Sequence, residues 1–175
     1  ITSLSAGLWT VTVTDLLTAC QFNQFFSMSQ ASALSLTLSA NSTTACVGLS
    51  CVLSGSNSGG TAGYTFTWIA GPASNTTTIT EITSGTYIYT LNSSDANNCL
   101  TSNTIALDFI PYPVLSTSNV FICPLAIGTL SVSGATNYTW SSPSSTATGS
   151  SFTDSPLSTQ QYTVVGESLG CSSQT

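Results

Sequence analysis

The sequence predicts an all-β protein built from antiparallel β-sandwiches in series. Three stretches end alike, in an aromatic-led run of alternating residues, a turn with an acidic residue and a cysteine: Leu8 to Cys20, Thr86 to Cys99 and Gln161 to Cys171. Side chains of a strand point alternately to opposite faces, so this alternation predicts half-buried strands. The cysteines are about 79 and about 72 residues apart, which indicates an array of modules rather than one domain around a shared active site.

The middle unit, residues 29–111, has the pattern of a complete sandwich. Short alternating runs recur every 8–12 residues or so, with Gly, Asn and Pro between them, as in antiparallel sandwiches. The predicted strands are Ala33 to Ser39, the run VLSGS that follows Cys46 and Cys51, Tyr64 to Gly71, Thr76 to Ile82, the run TYIYTL, and Ser102 to Ile110. A unit this small buries only about 60% of its unfolded surface, so we expect a stabilising disulfide.

The two ends of the chain are predicted to be incomplete sandwiches. Residues 1–28 contain only the last two strands of a unit. Residues 112–175 repeat the plan after the stiff junction at Pro111 and Pro113, but stop after Cys171 without the final strand of the middle unit. Because a missing edge strand leaves backbone groups unpaired, we expect both ends to be completed from outside the unit.

The composition excludes most kinds of enzyme and several kinds of partner. The chain has no Lys, Arg or His and only six acidic residues, for a net charge of −6. It therefore lacks the usual general base, phosphate clamps, histidine-ligated metals and the cations that bind nucleic acid. We expect no catalytic residue, no cofactor and no metal site, and neither nucleic acid nor an inserted membrane as a partner. No apolar run approaches the roughly 20 residues that span a bilayer.

The nearly uncharged, Ser- and Thr-rich surface predicts a glycan coat or burial in an assembly, with compositional drift outside the cell as the plainer alternative. Four sequons are candidate N-glycosylation sites: Asn41, Asn75, Asn92 and Asn137. The six cysteines include no C-x-x-C pair and indicate an oxidising compartment. The predicted location is extracellular or at a cell surface.

The runs YTFTW, GTYIYTLNSSDANNC and CPLAIGTLSVSGATNYTW resemble a known class of repeats. They are similar to the Ig-like and PKD-like tandem repeats of large secreted adhesins and gliding-motility surface proteins of Bacteroidota-type bacteria. This resemblance implies tandem immunoglobulin-like or PKD-like sandwiches on a cell-surface protein, and it covers nearly the whole chain.

Repeat position then gives a disulfide prediction. Cys46 is expected to pair with Cys99, and Cys123 with Cys171, each bond tying the approach to a second strand to the turn near the end of the unit. Cys20 lies in the same turn of a unit whose earlier half is missing. Its partner is expected to come from outside the chain or to be Cys51.

Two groups of residues have a structural and a functional interpretation. Trp9, Trp68 and Trp140 are core residues by position, with a sugar-stacking platform as the alternative. Asp95, with Asn97 and Asn98 beside it, is typical of a turn that bonds its own backbone, and calcium ligation is the alternative.

Glu81 and Asp95 offer the paired carboxylates that glycoside hydrolysis needs, but nothing in the sequence places them in one cleft.

The sequence thus favours a structural function. We expect a subunit or repeat segment of an extracellular fibre or stalk, in which copies assemble head to tail into a filament and carry covalently attached glycans. Residues 1–28, with Phe22, Phe25 and Phe26, are expected to complete the unfinished C-terminal sandwich of a neighbour. The alternatives are a sugar- or calcium-binding adhesin module, and a spacer that projects a binding domain.

Overall fold

The computed structural model describes residues 4–143 and 145–175, and it confirms the all-β prediction. The described residues form strands and turns without a helix, and hence contain no helix long and apolar enough to cross a membrane. The first two strands, β1 (Gly7–Thr14) and β2 (Gln21–Met28), pair only with each other. This two-stranded hairpin is exposed along its whole length.

The middle sandwich contains seven strands in two facing sheets. They are β3 (Ser35–Ala40), β4 (Thr44–Cys46), β5 (Ser50–Ser58), β6 (Thr65–Trp68), β7 (Thr76–Thr80), β8 (Gly85–Ser94) and β9 (Leu100–Ile110). One sheet has the order β3-β5-β7 and the other the order β4-β9-β8-β6. All neighbours are antiparallel except β4 and β9, which run parallel. This is an immunoglobulin-like arrangement.

The third sandwich has a similar plan, with mostly shorter strands and a different edge strand in its four-stranded sheet. They are β10 (Ser116–Thr117), β11 (Gly128–Ser133), β12 (Asn137–Ser141), β13 (Thr146–Thr148), β14 (Ser151–Asp154), β15 (Thr163–Ser168) and β16 (Cys171–Gln174). Its sheets have the orders β10-β11-β14 and β13-β12-β15-β16. The expectation that this unit lacks its final strand is therefore wrong, because β16 pairs antiparallel with β15. The sequence of this strand, CSSQ, has no apolar alternation, so the period-two pattern does not predict it.

Each sandwich has its own apolar core between the two sheets. In the middle unit Leu53 and Leu91 are fully buried and Trp68 is 3% exposed. The buried cluster of this unit consists of Leu36, Cys51, Leu53, Trp68, Leu91, Leu107 and Phe109. The third unit has a smaller cluster of Val132, Trp140, Phe152 and Val164. Both repeat tryptophans are thus core residues, as their positions predicted, and they are too deeply buried to stack on a sugar.

Hydroxyl groups take the place of ion pairs between neighbouring strands of the middle unit. Side-chain oxygens meet across strands at 2.8 Å in three pairs and at 2.6 Å in a fourth: Thr37 with Ser56, Ser39 with Ser54, Ser50 with Thr80, and Thr65 with Ser94. Cross-strand pairs of this kind each contribute about 0.2–1 kcal/mol. A surface without cations therefore still carries specific contacts that fix the strand register.

We predict that truncating the middle core destabilises that sandwich strongly. Leu53→Ala removes apolar contacts at a fully buried position and should lower the free energy of unfolding by about 2–5 kcal/mol. Val52→Ala is the matched control, because this neighbouring side chain is 43% exposed on the opposite face. Urea unfolding followed by tryptophan fluorescence measures both, and equal losses would contradict the described packing.

Candidate functional site at the ends of the sandwiches

A disulfide joins the middle sandwich to the third one. Cys46, at the end of β4, is bonded to Cys171, at the start of β16, with 5.6 Å between their Cα atoms. This bond corrects the expected pairings, since neither Cys46 with Cys99 nor Cys123 with Cys171 is joined. Repeat alignment gave the equivalent positions correctly but placed the bond within a sandwich, whereas the structure places it between sandwiches.

The chain around this bond is held close by backbone contacts. Ile110, the last residue of β9, accepts a hydrogen bond from the Val47 backbone N–H at 3.0 Å. The Cys171 Sγ lies 3.9 Å from the same Ile110 carbonyl oxygen, and the Cys46 Sγ lies 3.9 Å from the Gly170 carbonyl oxygen. The linker that follows Ile110 contains Pro111 and Pro113, which restrict its backbone. The bond therefore adds a second covalent connection beside a short, stiff linker.

A further contact at the junction also comes from the last strand. The Ser173 hydroxyl donates to the Pro113 carbonyl oxygen. Cys171 and Ser173 both belong to the last two strands of their unit, which we call the closing hairpin: β1–β2, β8–β9 or β15–β16. The loop between those strands is here called the closing turn. In the third sandwich the end of this turn, Gly170, and the strand that follows it, with Cys171 and Ser173, thus supply that unit's half of the junction.

The closing turns of all three units share one backbone feature next to their cysteines, although the third turn is shorter than the other two. The residue before the cysteine has a positive φ in each case: 56° at Ala19, 61° at Asn98 and 83° at Gly170. In the first two turns the acidic residue's N–H donates to the cysteine carbonyl, from Asp15 to Cys20 at 2.9 Å and from Asp95 to Cys99 at 3.1 Å. Cys20 and Cys99 therefore occupy the position that Cys171 uses for its bond.

The carboxylate of Asp95 organises the closing turn of the middle unit. It accepts backbone hydrogen bonds from Thr61, Asn97 and Cys99, each at 2.9 Å. These donors, with Thr61 and Cys99 foremost, lower the pKa of Asp95 below its ordinary value of 3.8. Because backbone N–H groups already surround this carboxylate, its surroundings favour the turn interpretation over calcium ligation. Asp15 accepts hydrogen bonds from Leu17 and Thr18 in the same manner.

The first closing hairpin has the residue pattern of a core face but nothing packed against it. Both β1 and β8 begin at a glycine with φ +151°, and in each hairpin that glycine lies opposite the final or near-final residue of the partner strand. Counting from these glycines, Phe26 corresponds to Leu107 and Met28 to Phe109. Leu107 and Phe109 are 1% and 2% exposed, whereas Phe26 and Met28 are 53% and 42% exposed.

The uncovered face of β1–β2 continues along both strands. Residues that alternate with Gly7 on β1 and with Met28 on β2 share this face, and the apolar members are Trp9, Val11, Val13, Phe22, Phe26 and Met28. All six are among the exposed large hydrophobic residues of the chain. An isolated hairpin is marginally stable in water, and a contiguous apolar face of this kind marks an interaction surface.

Comparison with known proteins identifies no family. No protein-family pattern and no curated protein matches the chain. Among solved structures, it is similar to the three N-terminal domains of the bacteriophage RB49 Highly Immunogenic Outer Capsid protein (Hoc), with a TM-score of 0.46 and 17% sequence identity. The likeness covers 82% of this chain and 57% of that one, so the chain spans a little over half the length of the Hoc structure.

The other predicted site residues lie apart from one another. Cys51 is buried in the middle core, while Cys20, Cys99 and Cys123 are exposed, so Cys51 is not the partner of Cys20. Glu81 accepts a hydrogen bond from the Tyr89 hydroxyl at 2.9 Å, and its carbonyl oxygen accepts one from Gly48, just before β5. Asp95 contacts the segment just after β5, at the opposite end of the sandwich. The two carboxylates therefore do not share a cleft.

All four candidate glycosylation sites are exposed: Asn41, Asn75, Asn92 and Asn137. Trp9 is 37% exposed on the hairpin, unlike the two core tryptophans, and its indole N–H donates to the Ser5 carbonyl at 2.9 Å. In residues 4–143 and 145–175, no three His, Cys, Asp or Glu side chains converge on a point that could hold a metal ion.

We predict that removing the inter-sandwich bond destabilises the protein. The double variant Cys46→Ser/Cys171→Ser should lose about 2–4 kcal/mol of unfolding free energy, because its unfolded chain is no longer cross-linked over a separation of 125 residues. Urea unfolding measures this loss, and reduced wild-type protein should match the variant.

The matched control is Cys99→Ser/Cys123→Ser, which removes two exposed thiols and keeps the bond. Peptide mapping needs a non-tryptic protease, since the chain has no Lys or Arg. A peptide that joins Cys46 to Cys99 would contradict the assignment.

A third prediction concerns acid stability. The pKa of Asp95 is lower in the folded than in the unfolded chain, so its stabilising effect is present above the ordinary carboxyl pKa and is lost as the pH falls through the folded value. Asp95→Asn should lower the melting temperature near neutral pH and flatten its fall in acid. Asp15→Asn changes the same kind of turn in the separate hairpin, and should leave the sandwich transition unchanged in a calorimetric pH series.

Proposed function

We propose that this chain is a structural subunit or repeat segment of an extracellular fibre or stalk made of serial immunoglobulin-like domains. Its role in this proposal is mechanical and non-catalytic. The chain joins to copies of the same kind of module at both ends and displays a hydroxyl-rich, glycosylated surface between them.

The apolar face of hairpin β1–β2 carries this proposal. Its side chains correspond to core residues of the middle sandwich, and in that unit the face packs on the β3-β5-β7 sheet. The hairpin is therefore best explained as the closing hairpin of another sandwich, with its facing sheet contributed by an adjoining stretch of polypeptide or by a second subunit. Either arrangement places one more module in line before the middle sandwich.

The direction of completion differs from the sequence-based expectation. The third sandwich already has β16 paired to β15, so it does not need the hairpin of a neighbour as its last strand. The incomplete element is the hairpin itself, which has its last two strands and needs the preceding ones. The proposal therefore keeps the serial arrangement of domains, and the hairpin β1–β2 is the element on which a second sheet packs.

Two further observations support a structural role. The bond between Cys46 and Cys171 fixes one sandwich to the next, which suits a rod more than a flexible tether. Disulfides persist in oxidising compartments, which suits a location outside the cell.

The proposal is tested by assembly of the purified chain. Trp9 is the exposed tryptophan and lies on the uncovered face, so assembly through that face should shift its fluorescence to shorter wavelength as concentration rises. Sedimentation velocity and electron microscopy should show elongated oligomers over the same range. Trp9→Phe removes the signal and leaves the two core tryptophans as an internal reference.

A matched pair of variants locates the contact. Phe26 and Phe25 are similarly exposed, at 53% and 59%, but point to opposite faces of the hairpin. Phe26→Ser should weaken assembly and Phe25→Ser should not. A compact monomer at every concentration, with Trp9 open to quencher, would reject the fibre and favour the sugar- or calcium-binding adhesin module.

A further inference from the structure

Cys46, the cysteine that the middle sandwich contributes to the junction, has an equivalent in the third sandwich, Cys123. Cys46 is the first residue of a β-turn in which the Leu49 N–H donates to the Cys46 carbonyl at 3.0 Å. Cys123 is the first residue of another such turn, in which the Ala126 N–H donates to the Cys123 carbonyl at 3.0 Å. The third residue has a positive φ in both turns, 82° at Gly48 and 67° at Leu125. Each turn lies shortly before the central strand of the three-stranded sheet of its unit, β5 or β11.

The two kinds of cysteine are complementary at the existing junction. Cys46 begins the turn before β5 in the middle sandwich, and Cys171 directly follows the closing turn of the next sandwich. Cys123 repeats the first kind, and Cys20 and Cys99 repeat the second, all three with exposed thiols. The chain thus has one disulfide between a cysteine of each kind, and three exposed free cysteines at the equivalent positions of further junctions.

The surface around Cys123 is suited to receive another module. Its neighbours Ile122 and Pro124 line a cleft of about 800 Å³ between the sheets of the third sandwich. Apolar side chains at the mouth of this cleft are exposed, with Phe121 at 95% and Leu157 at 71%. The corresponding end of the middle sandwich is the end that is bonded to the third.

Of the two free closing-turn cysteines, Cys20 is the one that lies away from the middle sandwich. Cys99 lies at the end of the middle sandwich where the chain enters from the hairpin, since its turn and the Ser32 carbonyl both contact the loop after β5. It therefore faces the module to which β1–β2 belongs. Cys20 lies at the other end of that hairpin, away from the middle sandwich.

From this equivalence we infer that Cys123 of one chain forms a disulfide with Cys20 of a second copy, so that the head-to-tail assembly is covalent. The inference rests on the proposed function, because it supplies the bond between successive subunits of the fibre. It repeats between copies the contact that Cys46 and Cys171 make within one chain.

The chemistry is thiol–disulfide exchange. The Cys20 and Cys123 thiols together lose two protons and two electrons as their S–S bond forms. A small-molecule disulfide such as oxidised glutathione accepts both electrons, and its S–S bond breaks to give two thiols.

The test mixes two variants of the chain, each of which keeps one of the three exposed free cysteines. The first chain, C20S/C99S, retains Cys123, and the second, C99S/C123S, retains Cys20; both keep Cys46, Cys171 and the buried Cys51. With oxidised glutathione, the mixture should give a species of twice the 17.9 kDa chain mass on a non-reducing gel, which reductant returns to the monomer, and a non-tryptic peptide should join Cys123 to Cys20. Because docking raises the local thiol concentration, this species should form about tenfold or more faster than either homodimer.

Three outcomes would overturn the inference. The first is that homodimers form as fast as the mixed dimer, which indicates indiscriminate oxidation of exposed thiols. The second is that the chain C20S/C123S, which retains Cys99, reacts faster with Cys123 than the Cys20 chain does. The third is that elongated oligomers form equally in reductant and oxidant with no Cys123–Cys20 peptide.

The third outcome rejects the covalent bond and leaves the fibre proposal intact. If no oligomer forms in either condition, the fibre proposal fails together with the inference. The two failures are therefore distinguishable in one set of sedimentation runs.

Discussion

The structure depends on covering one face of each closing hairpin with a facing sheet. In the middle sandwich, Leu91, Leu107 and Phe109 of β8 and β9 are almost completely buried against the strands opposite. The same face of β1–β2 is open to solvent. Apolar burial is the main favourable contribution to folding, so the hairpin and the sandwiches differ in stability for one reason, the presence or absence of the second sheet.

The scarcity of charge directs the remaining interactions. Without Lys, Arg or His, the six carboxylates have no cationic side chains as partners. Asp15 and Asp95 accept hydrogen bonds from backbone N–H groups in the closing turns. Glu81 and Asp154 each accept a hydrogen bond from a tyrosine hydroxyl. On the sheets, serine and threonine hydroxyls pair across strands. The acidic residues thus shape turns and loop contacts, and the surface polarity comes from neutral groups.

Much of the fold could be predicted from period-two alternation and turn residues, because these signals are local. The strands around Tyr64 to Gly71 and Thr86 to Leu91 and the burial of Trp68 and Trp140 follow from them. The last strand could not, since β16 has four residues, and only backbone pairing with β15 identifies it. The disulfide partners were also beyond the sequence, because Cys46 meets Cys171 through the way two sandwiches stack at a short linker, and repeat alignment carries no information on stacking.

The inter-sandwich bond also determines how the chain responds to a pulling force. Tension applied between the two ends passes from Cys46 directly to Cys171, so the polypeptide between them is bypassed. That bypassed segment contains most of both cores, including Leu53, Trp68 and Trp140. At roughly 3.4 Å per residue, its separation of 125 residues would otherwise add about 400 Å of extension on unfolding. The bond therefore makes this pair of sandwiches nearly inextensible for as long as it stays oxidised.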